Sequence, residues 1–145
     1  MSPEVPVKDR TLASDGSALH PGWPLLEFLL SIGADEFAVR FIYCGDESKA
    51  ACERLVATLA SASLGQRTRE CTVTSGGESN PRPVEVWRFD QRSLEALRNV
   101  MPGILSSGDA SQAWAEDLCV YRHGELLFGT VTHEQFAFLR VSDAE

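Results

Sequence analysis

A chain of 145 residues, 43% apolar and 23% charged, has the size and composition of one globular domain with one hydrophobic core, which excludes a fibrous or wholly disordered architecture. Thirteen basic against 21 acidic residues give a formal net charge of −8, which repels a phosphate backbone and argues against DNA or RNA as a direct partner. The cysteines Cys44, Cys52, Cys71 and Cys119 stand singly in apolar stretches with no CxxC pair, and neither a secretory signal nor a bilayer-long apolar run is evident, so the expectation is a cytoplasmic protein with reduced thiols and no membrane association.

Residues 1–21 carry three prolines and scattered charges with little periodicity, and are expected to form a flexible arm ahead of a single domain over 22–145. Pro24 suits a first helical turn, Leu25, Phe28, Leu29 and Ile32 recur at helical spacing, and Gly33 can supply a left-handed cap. Leu26 and Leu30 lie off that stripe, which makes this short helix apolar nearly all round and a candidate homodimer contact from Leu25 to Ile32.

Phe37, Val39, Phe41 and Tyr43 alternate in a strand predicted from Phe37 to Cys44. Asp46 can cap a helix running to about Ser63, with Ala51, Leu55, Leu59 and Ala62 as its core stripe and Gly65 as its stop. Cys71 and Val73 alternate with Thr72 and Thr74, Ser75 to Pro83 reads as an exposed loop, and Val84 to Phe89 resumes a strand pattern, which predicts a hairpin with a long loop. Asp90 can cap a further helix in which Leu94, Leu97 and Met101 share a face, stopped by Pro102 and Gly103.

Beyond the polar stretch Ser106 to Gln112, Leu118 to Arg122 and Leu126 to Val131 flank His123 and Gly124, a pair suited to a tight hairpin turn. Pairing across it is expected to set Tyr121 opposite Leu126 and Cys119 opposite Phe128. Gln135 to Val141 alternates again, with Phe136 and Phe138 on one face, as the last strand of a meander. The predicted class is α+β: one antiparallel-rich sheet with helices mainly on one face, a central β-α-β-β-α-β order matching a ferredoxin-like layer, and a C-terminal β-meander.

No constellation points to a catalytic site, a metal or a cofactor. Cys44 lies between a strand and a helix N-terminus, where a thiol pKa can fall, but Asp46 opposes a thiolate and no local base accompanies it. Cys119, His123 and His133 have ligand chemistry, yet the hairpin separates its two ends by about 25 to 30 Å at roughly 3.4 Å per residue. The stretch Ser75, Gly76, Gly77, Glu78 and Ser79 lacks the lysine of a phosphate-binding loop. Asp109, Trp114, Glu116 and Asp117 combine an aromatic anchor with carboxylates just ahead of a strand, and are the candidate partner-binding residues.

In kind, though through no aligned motif, a small acidic α+β chain without catalytic signature is similar to bacterial immunity proteins that neutralise a cognate toxin. That likeness implies a protein-binding domain whose acidic face captures a basic protein. Two other readings stay open: a small enzyme or ligand-binding domain with a cleft between the sheet and the N-terminal helix, using Tyr43, Arg88 or His133, and an oligomerisation module built on that helix.

Overall fold

Helix boundaries follow the local chemistry in the structure, a computed structural model that describes residues 7–12, 22–42, 46–72, 79–100, 114–131 and 136–142. Helix α1 (Trp23–Ser31) begins after Gly22 with proline in its first turn. It ends in a Schellman motif, in which the Gly33 N–H donates to the Leu30 carbonyl at 3.2 Å and the Ala34 N–H to the Leu29 carbonyl at 3.0 Å. The φ of +98° at Gly33 is the left-handed conformation that this reversal requires.

Helix α2 (Asp46–Leu59) runs into a 3-10 turn, Ala60–Ala62, and buries the stripe Ala51, Leu55, Leu59 and Ala62. Helix α3 (Gln91–Val100) is capped reciprocally: Asp90 Oδ1 accepts from the Ser93 N–H at 2.9 Å, and Ser93 Oγ accepts from the Asp90 N–H at 3.0 Å. Leu94 and Leu97 then point inward, while Met101 lies outside the described residues. No helix among the described residues is long and apolar enough to cross a membrane.

Seven strands, β1 (Val7–Leu12), β2 (Glu36–Ile42), β3 (Ser63–Thr72), β4 (Ser79–Arg88), β5 (Trp114–Arg122), β6 (Glu125–Val131) and β7 (Phe136–Ser142), form one sheet in the order β1-β7-β6-β5-β2-β4-β3. Every neighbouring pair is antiparallel. Strand β4 lies between β2 and β3, which α2 joins, and β2 lies between β4 and β5, which follow one another around α3, so each β-α-β unit is split by a strand of the other. The protein is thus α+β.

One face of the sheet meets all three helices in the larger core, where Phe37 stacks on Trp87 with centroids 5.6 Å apart and meets Phe89 edge-on at 5.9 Å.

Four local expectations are corrected. Val7–Leu12, inside the segment expected to lack structure, pairs with β7 from Val7–Ser142 to Leu12–Ala137, because the last meander strand offers a free edge. Ser79 to Pro83 belongs to β4 and not to a loop, and Glu70–Pro81 and Thr68–Pro83 are paired positions. Proline is tolerated there because that half of β4 is paired by β3 alone. Gly65, expected to stop the second helix, sits instead at a register shift near the start of β3.

The fourth concerns the hairpin, in which Tyr121 does face Leu126 across the turn at His123 (φ 53°) and Gly124 (φ 81°). Cys119, however, faces Gly129, and Val120 faces Phe128, because a bulge inserts Leu127 between the two pairs. The extra residue puts Phe128 with Val120 in the helix-side core and leaves Tyr121 and Leu126 on the opposite face.

That opposite face carries a second, smaller buried cluster of Ala38, Cys71, Cys119, Tyr121, Leu126 and Phe138, with no helical residue in it. The sheet covers it by curling. In a flat sheet β3 would stand three strand spacings, about 14 Å, from β5. Instead Cys71 Sγ lies 3.3 Å from Tyr121 Oη, and Arg140 on β7 reaches Glu70 on β3 with Nη1–Oε1 of 3.1 Å. Arg69 on β3 closes on Glu36 of β2 through two bonds of 3.0 and 3.3 Å. Residues 69–71 of β3 are thereby held over the face without helices.

Candidate functional site

Where the sheet curls, two neighbouring strands part. Among the described residues β2 and β4 pair only at Glu36–Arg88 and Phe37–Trp87. Two sequence features accompany the short ladder. Pro81 and Pro83 remove alternate donors from the far half of β4, where a ladder with β2 could not be sustained alongside the one with β3. On the other side of β2, the pairs Ala38–Cys119 and Arg40–Glu116 enclose one residue of β2 and two of β5, a bulge with Asp117 at φ 55°. Aspartate visits this left-handed region more readily than most residues, and the bulge adds local twist that turns β2 away from β4.

The divergence opens a groove of about 200 Å³. Buried Ala38, Cys71 and Cys119 and half-buried Val84 lie beneath it. Around its mouth stand Arg40, Arg82, Glu85 and Asp117, with Arg40 Nη2 3.4 Å from Asp117 Oδ2.

The two thiols at the base form a polar cluster with the phenol of Tyr121, which is fully buried and is not part of the groove's lining. Tyr121 Oη donates to the Glu70 carbonyl at 2.9 Å. The Cys71 thiol is lowered to about 6, first because Cys119 hydrogen-bonds it, then through the Tyr121 hydroxyl and the positive charge of Arg82, with burial and Glu70 opposing. Tyr121 is pushed up from its ordinary value by burial and then by the adjacent thiols, so it remains a neutral hydroxyl. Chemically the groove offers two adjacent thiols, of which Cys71 has the lowered pKa and lies against the buried Tyr121 hydroxyl. No group of three or more His, Cys, Asp or Glu side chains that could hold a metal ion occurs among the described residues.

The four residues singled out in the sequence are placed unevenly. Asp109 lies outside the described residues. Trp114 and Glu116 belong to β5 itself, opposite Ile42 and Arg40, so the group does not precede the strand as expected. Asp117 lines the groove. Of the alternative cleft residues, Tyr43 and His133 fall outside the described residues, as does Cys44. Arg88 bonds Asp90 Oδ2 at 3.2 Å and the Ser61 carbonyl at 3.4 Å, between the end of α2 and the start of α3 and away from α1.

Sequence reasoning missed Cys71, Cys119 and Tyr121 as a group. Their only local signal was the alternation that separates Cys119 and Tyr121 from Leu118 and Val120, and nothing local announced that β3 would fold onto them. In comparisons with protein-family models, curated proteins and solved structures, nothing matches this chain.

Proposed function

We propose that this domain is a protein-binding module that takes a cationic, extended segment of a partner protein in the groove between β2 and β4. The observation that carries this reading is the early end of the β2–β4 ladder, which leaves two strand edges diverging around a base of Ala38, Val84 and two thiols, with the carboxylates of Asp117 and Glu85 beside Arg40 and Arg82 at the mouth. A strand edge offers an extended segment main-chain donors and acceptors, and Ala38 and Val84 offer its side chains apolar contact. Arg40, whose side chain is 60% exposed, is readily displaced from Asp117 by an arginine or lysine of the partner. The net charge of −8 adds long-range attraction for a basic partner.

The reading is tested by selecting random dodecapeptides from a displayed library against the immobilised protein and measuring the affinities of the selected peptides. Basic sequences are expected, with affinity falling about tenfold or more in Asp117→Lys. Glu53→Lys, an equal charge change on the exposed side of α2, should leave affinity within about twofold, because a distant exposed charge is screened at physiological salt. Selection of acidic peptides, or equal losses in the two variants, would reject the groove as the docking site.

A further inference from the structure

We propose that Cys71 and Cys119 are a redox-active pair, in which a peroxide oxidises the Cys71 thiolate and Cys119 resolves the product into a Cys71–Cys119 disulfide. This inference goes beyond partner binding and does not depend on it.

The geometry is that of an attacking and a resolving thiol. The residues belong to β3 and β5, strands that are not neighbours in the sheet, and the curl sets the two side chains against each other at the base of a groove open to solvent. Cys71 accepts a hydrogen bond from Cys119 when ionised, which favours the thiolate, while in the thiol form its Sγ donates to the Arg69 carbonyl at 3.6 Å and lies 3.3 Å from the Tyr121 hydroxyl. Arg82 lines the same groove and adds a positive charge beside the sulfur. With its pKa lowered, Cys71 ionises more readily than an ordinary thiol. Cys52 is a built-in contrast: it is fully buried on α2 in the larger core and does not line the groove.

The chemistry balances with a peroxide ROOH as the named oxidant. The Cys71 sulfur attacks one peroxide oxygen, the O–O bond breaks, and Cys71 becomes a sulfenic acid while the departing RO⁻ takes a proton from solvent and leaves as ROH. The Cys119 thiol then transfers its proton to the sulfenic hydroxyl as its sulfur attacks Cys71. The S–O bond breaks, water leaves, and the S–S bond forms. Two thiols lose two electrons and two protons, and one peroxide is reduced to one alcohol and one water. The product ties the overlying hairpin to the centre of the sheet.

The experiment treats the full, unsubstituted chain, reduced and held under nitrogen, with one equivalent of hydrogen peroxide at pH 7, and follows intact mass and a non-reducing peptide map. The expected result is a loss of about 2 Da with a Cys71–Cys119 cross-linked peptide, formed at least about tenfold faster than any modification of Cys52. The rate should fall as pH drops through about 6, following the thiolate. In Cys119→Ser the sulfenic acid should persist at Cys71 and be captured by dimedone. A cross-link through Cys44 or Cys52, oxidation of Cys71 to the sulfinic acid with Cys119 intact in the unsubstituted chain, or no reaction faster than that of Cys52 would each overturn the proposal. The unsubstituted chain distinguishes these outcomes even if Cys119→Ser fails to fold.

Discussion

The hydroxyl of Tyr121 on β5 donates to the main-chain carbonyl of Glu70 on β3 at 2.9 Å, although β4 and β2 lie between those strands in the sheet. Tyr121 is fully buried, so this bond forms inside the smaller core and locks the curl that creates both the groove and the thiol pair. Tyr121→Phe keeps the ring and removes this part-buried bond. A loss of about 1–3 kcal/mol is expected in urea unfolding, with faster amide exchange along β3. Unchanged stability together with unchanged exchange would show that the curl does not depend on this contact.

Arg69 and Glu36 make the second clasp, and their side chains are only 19% and 17% exposed. A forked guanidinium–carboxylate pair at that burial is less screened than a surface pair. A double-mutant cycle with Arg69→Ala and Glu36→Ala, read by urea unfolding, should give a coupling above about 1 kcal/mol, beyond the usual range for exposed pairs. Additive losses would assign the pair no role in holding β3 to β2.

Asp117 occupies a left-handed backbone position in the β5 bulge, with φ 55°. The residue order for stability at this site should therefore follow tolerance of positive φ and not strand propensity: Asp117→Gly close to the parent, Asp117→Val lower by about 1–2 kcal/mol. Thermal unfolding of the two variants measures this, and a valine variant as stable as the glycine variant would contradict the bulge geometry.

The Asp90 carboxyl is held below its ordinary value by the Ser93 N–H, with help from Arg88 and against burial. A depressed folded-state pKa means that the cap contributes fully above the ordinary carboxylate range and is lost as pH falls through that range toward the folded value. At pH 7, Asp90→Ala should cost about 0.5–2 kcal/mol. That difference should shrink as pH is lowered below the ordinary carboxylate value of about 4 and the parent cap protonates. A gap between parent and variant that stays constant as pH is lowered would show that the cap's charge contributes nothing.

Much of the local structure is legible in the sequence. Pro24 and Gly33 bracket α1, Asp90 caps α3, the stripe from Ala51 to Ala62 faces the core, and His123 and Gly124 turn the hairpin. Each signal is complete within one or two turns of chain, where sterics and capping bonds act whatever surrounds them. Reading Ser79 to Pro83 as a loop failed because two prolines exclude a residue from most strands but not from a half-strand with one neighbour, and the number of neighbours is not a local property. Leu127 misled the register in the same way, since whether one residue is looped out depends on the strand it faces.

The sequence by itself determined where this chain makes most of its helices and strands, which side chains turn inward and that the class is α+β, because periodicity and capping are short-range effects. Tertiary structure alone decided that β1 closes one edge, that β2 and β4 part, and that Cys71 meets Cys119 and Tyr121. Those outcomes depend on twist and curl accumulated over several strands, and contacts between residues such as Glu70 and Arg140 appear only once the whole sheet has formed.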